Sequence, residues 1–477
     1  MAACDGAPNV KPDAGADAAA SPDAPADADL GINGTWRDTY ITASGPMAVS
    51  VCSSALTAVV VDSTTAAVTP YSGACKPDGS FRINAPGNLE SFYLKVQGGL
   101  YETTKRSGLD LSTDYLGRND VAPITGVNLG LTMTGLESWA TGDVLMAFGA
   151  NIGYSAPLSF TSGGPTNSST TLTGTAPWAG YKIDSSKSDV LQLVQLGLHT
   201  TTNSLSYLSL DRSYDVPAFT MSNNSTPSIG GVFTAPPAGS ITLDVNVSSF
   251  NQFATVANPN VTLKTIAGSV YAAASAEVIA SPSLISFARD ASSVTAMNFG
   301  SLSFGDPFPN AWQRYVKIQE AFAVPYMWNN VSGSYNAQMT RVLTKAEAEA
   351  GAIDAKLGPP RNPKLDGVDA FAGTTNISPV PVVSWEAPAL GTPTDYEVQV
   401  YEVQISGSAL RFISTLRLAT KQTSVRVPAG YLLGQRQYIF VIRAHTRDGA
   451  DLYTTPLRNG TSTSTAETLT ALVTTDS

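Results

Sequence analysis

The sequence predicts an all-β, multidomain protein built from β-sandwich modules, and three observations lead there. Charged residues make up only 14% of the 477 positions, against about a quarter in ordinary globular chains. Ser, Thr, Asn and Gly fill the polar positions instead, and a chain poor in Lys and Glu but rich in Thr and Val favours strands over exposed helices. Short runs of alternating apolar and polar residues recur throughout, separated by clusters of Gly, Pro, Asn and Ser. Apolar content is an ordinary 43%, so most of the chain can bury a core, and its length allows about two to four domains.

Residues 1–30 are the exception. Residues 5–29 combine Ala, Asp and Pro with almost no bulky side chain, and hold six Asp against one Lys, a net charge of -5 out of the whole chain's -10. Such a segment cannot bury enough surface to offset its ordering entropy, so it is expected to be a disordered leash. The rest is only mildly acidic, which argues against nucleic-acid binding, since that needs clustered Lys and Arg. No run approaches the roughly 18 apolar residues of a membrane-spanning helix.

Met1-Ala2-Ala3-Cys4 opens this segment. Small residues directly before a cysteine, followed by a polar leash, resemble the lipobox of bacterial lipoproteins. The resemblance implies that the Cys4 thiol carries a lipid, that the protein is exported and membrane-anchored, and that a basic and apolar stretch lies upstream of Met1. The location implied is the cell surface or the periplasmic face of a Gram-negative bacterium. Asp5 leaves the choice of inner or outer membrane open. With Cys4 so assigned, Cys52 and Cys75 remain as one candidate disulfide with 22 residues between them, suited to an oxidising compartment.

Residues 31–120 read as a small sandwich. Pro77-Asp78-Gly79-Ser80 is a turn that leads into Phe81 and Ile83 on one face, and Phe92, Leu94 and Val96 alternate with Tyr93 and Lys95. The Asp78-to-Ile83 turn, Pro86-Gly87 and the following Tyr-Leu-Lys-Val strand resemble carboxypeptidase-regulatory-like sandwiches, a resemblance that implies a structural module without catalytic residues.

Residues 121–343 form a larger β-rich body. Val127, Leu129, Leu131 and Met133 alternate, as do Ile241, Leu243, Val245 and Val247, and parts of Val261 to Ile266. Trp139 before Asp143-Val144-Leu145 is faintly echoed by Trp178 before Asp189-Val190-Leu191, which leaves a propeller-like body open beside one or two sandwiches. Thr344-Lys345-Ala346-Glu347 is a capping box that predicts a connector helix over Thr344 to Lys356, within a connector spanning 344–358. Gly358-Pro359-Pro360 then stops it.

Residues 359–477 carry the strongest fold signal. Trp385 follows Val382-Val383-Ser384, Tyr396 opens an alternating run to Tyr401, and Leu432 stands six residues before Tyr438, which begins a strand to Ala444. These features resemble the B strand, C strand and E–F corner of a fibronectin type III domain. The resemblance implies a sandwich with Trp385, Tyr396, Leu432 and Tyr438 in its core and the Tyr438 hydroxyl returning to backbone upstream. It implies no ligand. Leader, β-rich middle and terminal sandwich together resemble uncharacterised exported bacterial lipoproteins, with Leu302-Ser303-Phe304-Gly305-Asp306-Pro307-Phe308-Pro309-Asn310-Ala311-Trp312 as the most distinctive segment.

Catalytic signals are few. The two histidines, His199 and His445, are isolated and read as surface or strand-end residues, and no Gly-x-Ser-x-Gly elbow accompanies them. No Cys/His spacing suits zinc, and no Walker or dinucleotide-binding loop is present, so neither metal nor cofactor is expected. Glu137, Asp143 and Asp189, beside Trp139 and Trp178, are the one candidate carboxylate set for glycoside hydrolysis. The expected function is therefore a non-catalytic cell-surface lipoprotein that binds a polysaccharide or surface protein through its β domains. A secreted carbohydrate-active enzyme and a structural spacer are the alternatives.

Overall fold

The computed structural model describes residues 31–476 except 43–44, 53–55, 276, 279–280, 374 and 461–462. Strand accounts for 53% of the chain and helix for 5%, which makes the protein all-β. Cys4 and the leash lie outside the described residues.

The N-terminal unit is a set of short strands around a core that includes Trp36, Phe81, Ile83, Phe92, Leu94 and Val96. Phe81 and Ile83 face inward with Arg82 exposed between them, and Phe92, Leu94 and Val96 do the same around Tyr93 and Lys95. The turn before them depends on Gly79, whose φ is +82°. A Cβ there would lie 2.5 Å from Arg37 Cγ. Cys52 and Cys75 are joined as a disulfide.

The central body consists of two successive sandwiches. In the first, the strand Asn128–Thr134 lies between Thr171–Pro177 and Ser228–Val232. This sheet packs on a second one holding Val144–Gly149, Gln192–Thr200 and Ser206–Asp215, and Leu129, Leu131, Met133, Leu145, Leu193 and Trp178 fill the space between. The two Asp-Val-Leu segments enter the neighbouring antiparallel strands Val144–Gly149 and Gln192–Thr200. Their likeness reflects paired strands of one sheet, not successive propeller blades. In the second sandwich, the pair Ala238–Val245 and Met297–Gly305 covers a sheet of Leu263–Ala273, Ser283–Asp290, Gln313–Trp328 and Val331–Thr344.

The connector helix is shorter than its sequence suggests. It spans Lys345–Glu349, with Thr344 and Glu347 closing the capping box reciprocally. Beyond Gly351 the residues Ile353, Ala355 and Leu357 are buried while Asp354 and Lys356 are exposed, a period of two instead of 3.6. Ile353 bridges Val245, so edge pairing takes over from helix.

In the C-terminal unit, Arg361–Leu365, Val382–Glu386 and Ser424–Arg426 form one sheet. Ala409–Thr420, Asp395–Ser406, Gln437–Arg447 and Thr463–Leu469 form the other. Both edges of this second sheet are extended by other units. Leu418 and Ala419 pair in parallel with Leu100 and Tyr101 of the N-terminal unit. On the far side Thr463 to Ala466 pair with Met339 to Val342. Leu208 and Ser209 pair likewise with Ile285 and Ser286 between the central sandwiches. One hydrogen-bonded ladder thus passes through every unit, and sheet edges that would otherwise be exposed are covered.

Candidate functional site: an aromatic cleft at a junction of units

The residues singled out in the C-terminal unit meet in its core. Trp385 and Tyr396 stand edge to face with ring centroids 5.3 Å apart. Tyr438 is fully buried and its hydroxyl accepts the Leu433 N–H at 2.9 Å, next to buried Leu432. His445 is not a surface residue. It is buried on Gln437–Arg447, where burial and the neighbouring Arg447, Arg443 and Arg417 hold its pKa well below the ordinary histidine value. It is therefore neutral at physiological pH.

The three acidic candidates each have partners of their own. Asp189 is buried and doubly bonded to Arg118, at 3.0 and 2.8 Å, where it ties the end of the N-terminal unit to the first central sandwich. Glu137 is paired with Arg212 at 2.6 Å. Asp143 accepts the backbone N–H groups of Ala140 and Leu198. Trp178 lies in the core and gives its indole N–H to Tyr181 O at 2.9 Å, while Trp139 is half-buried beside that core.

His199 is half-exposed in a cleft of about 430 Å³ and faces both Asp211 carboxylate oxygens at 2.9 Å. The hydrogen bond to Asp211 raises its pKa, with burial opposing. This pairing needs Gly197, because a Cβ there would lie 1.9 Å from Asp211 Oδ2. Ser209 and Ser303 line the same cleft, where the Ser209 hydroxyl donates to the Ser303 carbonyl at 3.0 Å, and no metal-binding cluster of His, Cys, Asp and Glu is present among the described residues.

The larger cleft, about 500 Å³, lies where the N-terminal unit, the first central sandwich and the segment 302–314 meet. Its floor is aromatic. Trp312 stacks on Phe308 at 6.0 Å with 11° between the planes, and Phe148 meets both rings edge-on at 5.5 and 6.4 Å. Phe308 and Phe148 are buried, whereas Trp312 is only half-buried. Ile41 and Leu116 also line it, and Gln192 and Asp215 add polar groups.

Arg314 fastens the loop that carries Trp312. Its Nε and Nη2 donate to the two Asp306 oxygens at 2.8 Å each, and the guanidinium also donates to the carbonyls of Phe308, Pro309 and Trp312. Such a fork satisfies a carboxylate and three carbonyls with one rigid cation. Pro307 and Pro309 restrict the backbone further. The loop is set before any ligand arrives.

No family model matches the chain, and no curated protein matches it. Among solved structures it is similar to the FN1–FN3 domains of chicken CNTN1, at 10% identity over 75% of this chain and 98% of that one, with a TM-score of 0.14. It is also similar to a tetra-tandem repeat in the extending region of a large adhesion protein, at 13% identity over 92% and 99% of the two chains, with a TM-score of 0.12. The fold assignment rests on the strand pairing above.

Only the segment 302–312 of this cleft stood out in the sequence, as the most distinctive part of the resemblance to exported bacterial lipoproteins. Phe148, Gln192, Asp215, Ile41 and Leu116 did not. They come from separate units and carry no local pattern that joins them. Chemically, the cleft offers a flat apolar floor beside a neutral amide and a carboxylate, a set suited to binding and orientation.

Proposed function

We propose that the protein is a non-catalytic binding and scaffold protein that presents the Trp312 cleft on a rigid body of fused sandwiches. The observation that carries this reading is the Arg314-fastened loop: it holds a half-exposed tryptophan over an open cleft at a junction of units. Pre-organisation of this kind lowers the ordering cost of binding. The acidic residues that would support hydrolysis are engaged in backbone or ion-pair contacts, as described above.

The protein is further proposed to be exported and held at a membrane surface through a lipid on Cys4. The Cys52–Cys75 disulfide supports an oxidising compartment. Mass spectrometry of the native N-terminus tests the anchor: a lipid adduct on Cys4 is expected, and an unmodified thiol on the mature chain contradicts it.

Binding is tested on the immobilised protein, titrated with solubilised polysaccharide and protein fractions of a bacterial envelope. Saturable binding is expected, at least tenfold weaker in Trp312→Ala. A non-saturable response that the variant leaves unchanged sinks the reading.

A further inference from the structure

We infer that the ligand of this cleft is a neutral glycan, held with one pyranose ring against Trp312 and its hydroxyls toward Gln192 and Asp215. The inference rests on the binding reading just given and names the ligand class of the same site.

The floor and the polar groups make different demands on a ligand. The Trp312 ring, backed by Phe308, offers a flat apolar surface of fixed orientation. Gln192 Nε2 donates to Asp215 Oδ1 at 2.8 Å, and Asp215 is exposed. A ligand must therefore be apolar on one face and hydroxylated at its edge. A pyranose ring is both: its axial C–H groups pack on an aromatic plane, and its equatorial hydroxyls donate and accept.

Other ligand classes meet a penalty here. A lipid chain would cover the Gln192–Asp215 pair without hydrogen-bonding it, and a carboxylate taken from water with only the Gln192 amide to donate to it is costly. An anionic polymer would meet the Asp215 carboxylate with no compensating cation, since no Lys or Arg lines the cleft among the described residues. A polyproline peptide stacks on tryptophan too. Its backbone, however, presents carbonyl acceptors and lacks N–H groups, so it brings no donor for Asp215. Hydroxyl groups supply that donor. The volume of about 500 Å³ lies within the range of small-molecule sites, which suits a short stretch of chain and not a folded partner.

The test uses the full chain and a panel of neutral hexaoses (cellohexaose, laminarihexaose and chitohexaose), with heparin hexasaccharide and a proline decapeptide as competitors, read by titration calorimetry. At least one neutral hexaose is expected to bind saturably, about tenfold weaker in Trp312→Ala and several-fold weaker in Gln192→Ala and in Asp215→Asn. The Gln192 and Asp215 variants keep the floor intact, so they remain informative if Trp312→Ala is poorly folded. No saturation by any neutral hexaose at about 5 mM overturns the glycan assignment. If the proline decapeptide or heparin then binds in a Trp312-dependent way, the glycan inference falls and the binding reading stands. If nothing binds, and envelope fractions bind the variants and the parent alike, both fall.

Discussion

Arg443 donates through Nη1 to Glu397 Oε1 at 2.9 Å inside the C-terminal sandwich, where Glu397 is fully buried. The same guanidinium reaches Glu467 Oε1 through Nε at 2.7 Å. The three residues lie directly opposite one another on adjacent strands. Arg417 joins Glu397 from the neighbouring strand. On the other side Glu467 accepts the Gln338 N–H at 2.8 Å, from the strand contributed by the central body. A charge ladder therefore runs across the seam between two units, with Arg443 at its centre. Burial works against the charge on Arg443, and the carboxylates of Glu467 and Glu397 overcome it, so its pKa lies above the ordinary arginine value.

Removing the centre of this ladder leaves two buried carboxylates short of a cation. Arg443→Met is expected to cost roughly 3 kcal/mol. Amide exchange should accelerate on both sides of the seam, at Gln338 as well as at Ile442. Acceleration confined to the C-terminal unit would show that the ladder does not couple the two.

Tyr438→Phe keeps the buried ring and removes only the acceptor of the Leu433 N–H. Leu433 is itself an exposed residue, so water replaces the lost acceptor and the cost is the net value of one hydrogen bond, about 0.5–1.5 kcal/mol. The Leu433 amide should exchange faster by a larger factor than amides in the middle of Gln437–Arg447. Equal factors at both places would mean that the corner is not held by this hydroxyl.

The disulfide closes a loop with a sequence separation of 23, for which loop-entropy reasoning gives about 3 kcal/mol. Reducing agent should lower the unfolding midpoint of the N-terminal unit in the parent protein and leave a Cys52→Ala/Cys75→Ala variant unchanged. Identical midpoints for the oxidised and reduced parent would contradict the estimate.

What was legible in the sequence was local. Phe81 and Ile83, or Phe92, Leu94 and Val96, declare their inward face by a period of two. Thr344 and Glu347 declare a helix start within four residues. The Leu432-to-Tyr438 spacing declares a corner. The pairing of Leu100 with Leu418 has no such signature, because a strand's own period does not say which distant strand it joins. The cleft suffers the same limit: Trp312 and Phe308 are neighbours in sequence, but Phe148, Gln192 and Ile41 reach them only through the packing of units. The acidic candidates misled for a related reason. Nothing near Asp189 announces Arg118, which lies 71 residues away, and without that partner a structural clamp reads as a free carboxylate.

Glu320 gives the sharpest pH prediction. It sits on Gln313–Trp328 in the inward series Val316, Ile318, Glu320, Phe322 and Val324, opposite buried Ile266 and Met339. Neither carboxyl oxygen has a hydrogen-bond partner among the described residues. Burial pushes its pKa up to about 8 from an ordinary 4.5, with Lys264 opposing only in part. In the folded protein the group is therefore neutral at pH 7, while in the unfolded chain it is ionised. Below pH 4.5 both states hold the proton and the carboxyl adds no penalty. As pH rises through 4.5 the unfolded state begins to gain ionisation free energy. The loss of stability grows until pH passes about 8, where the folded state ionises as well. At about 1.4 kcal/mol per pH unit the full effect is roughly 3–5 kcal/mol. Glu320→Met, of similar length and apolar, should remove this slope and stabilise the second central sandwich at pH 8 far more than at pH 4.5. Denaturant midpoints of parent and variant across that range provide the check. A gain independent of pH would mean that better packing, and not the proton, explains it.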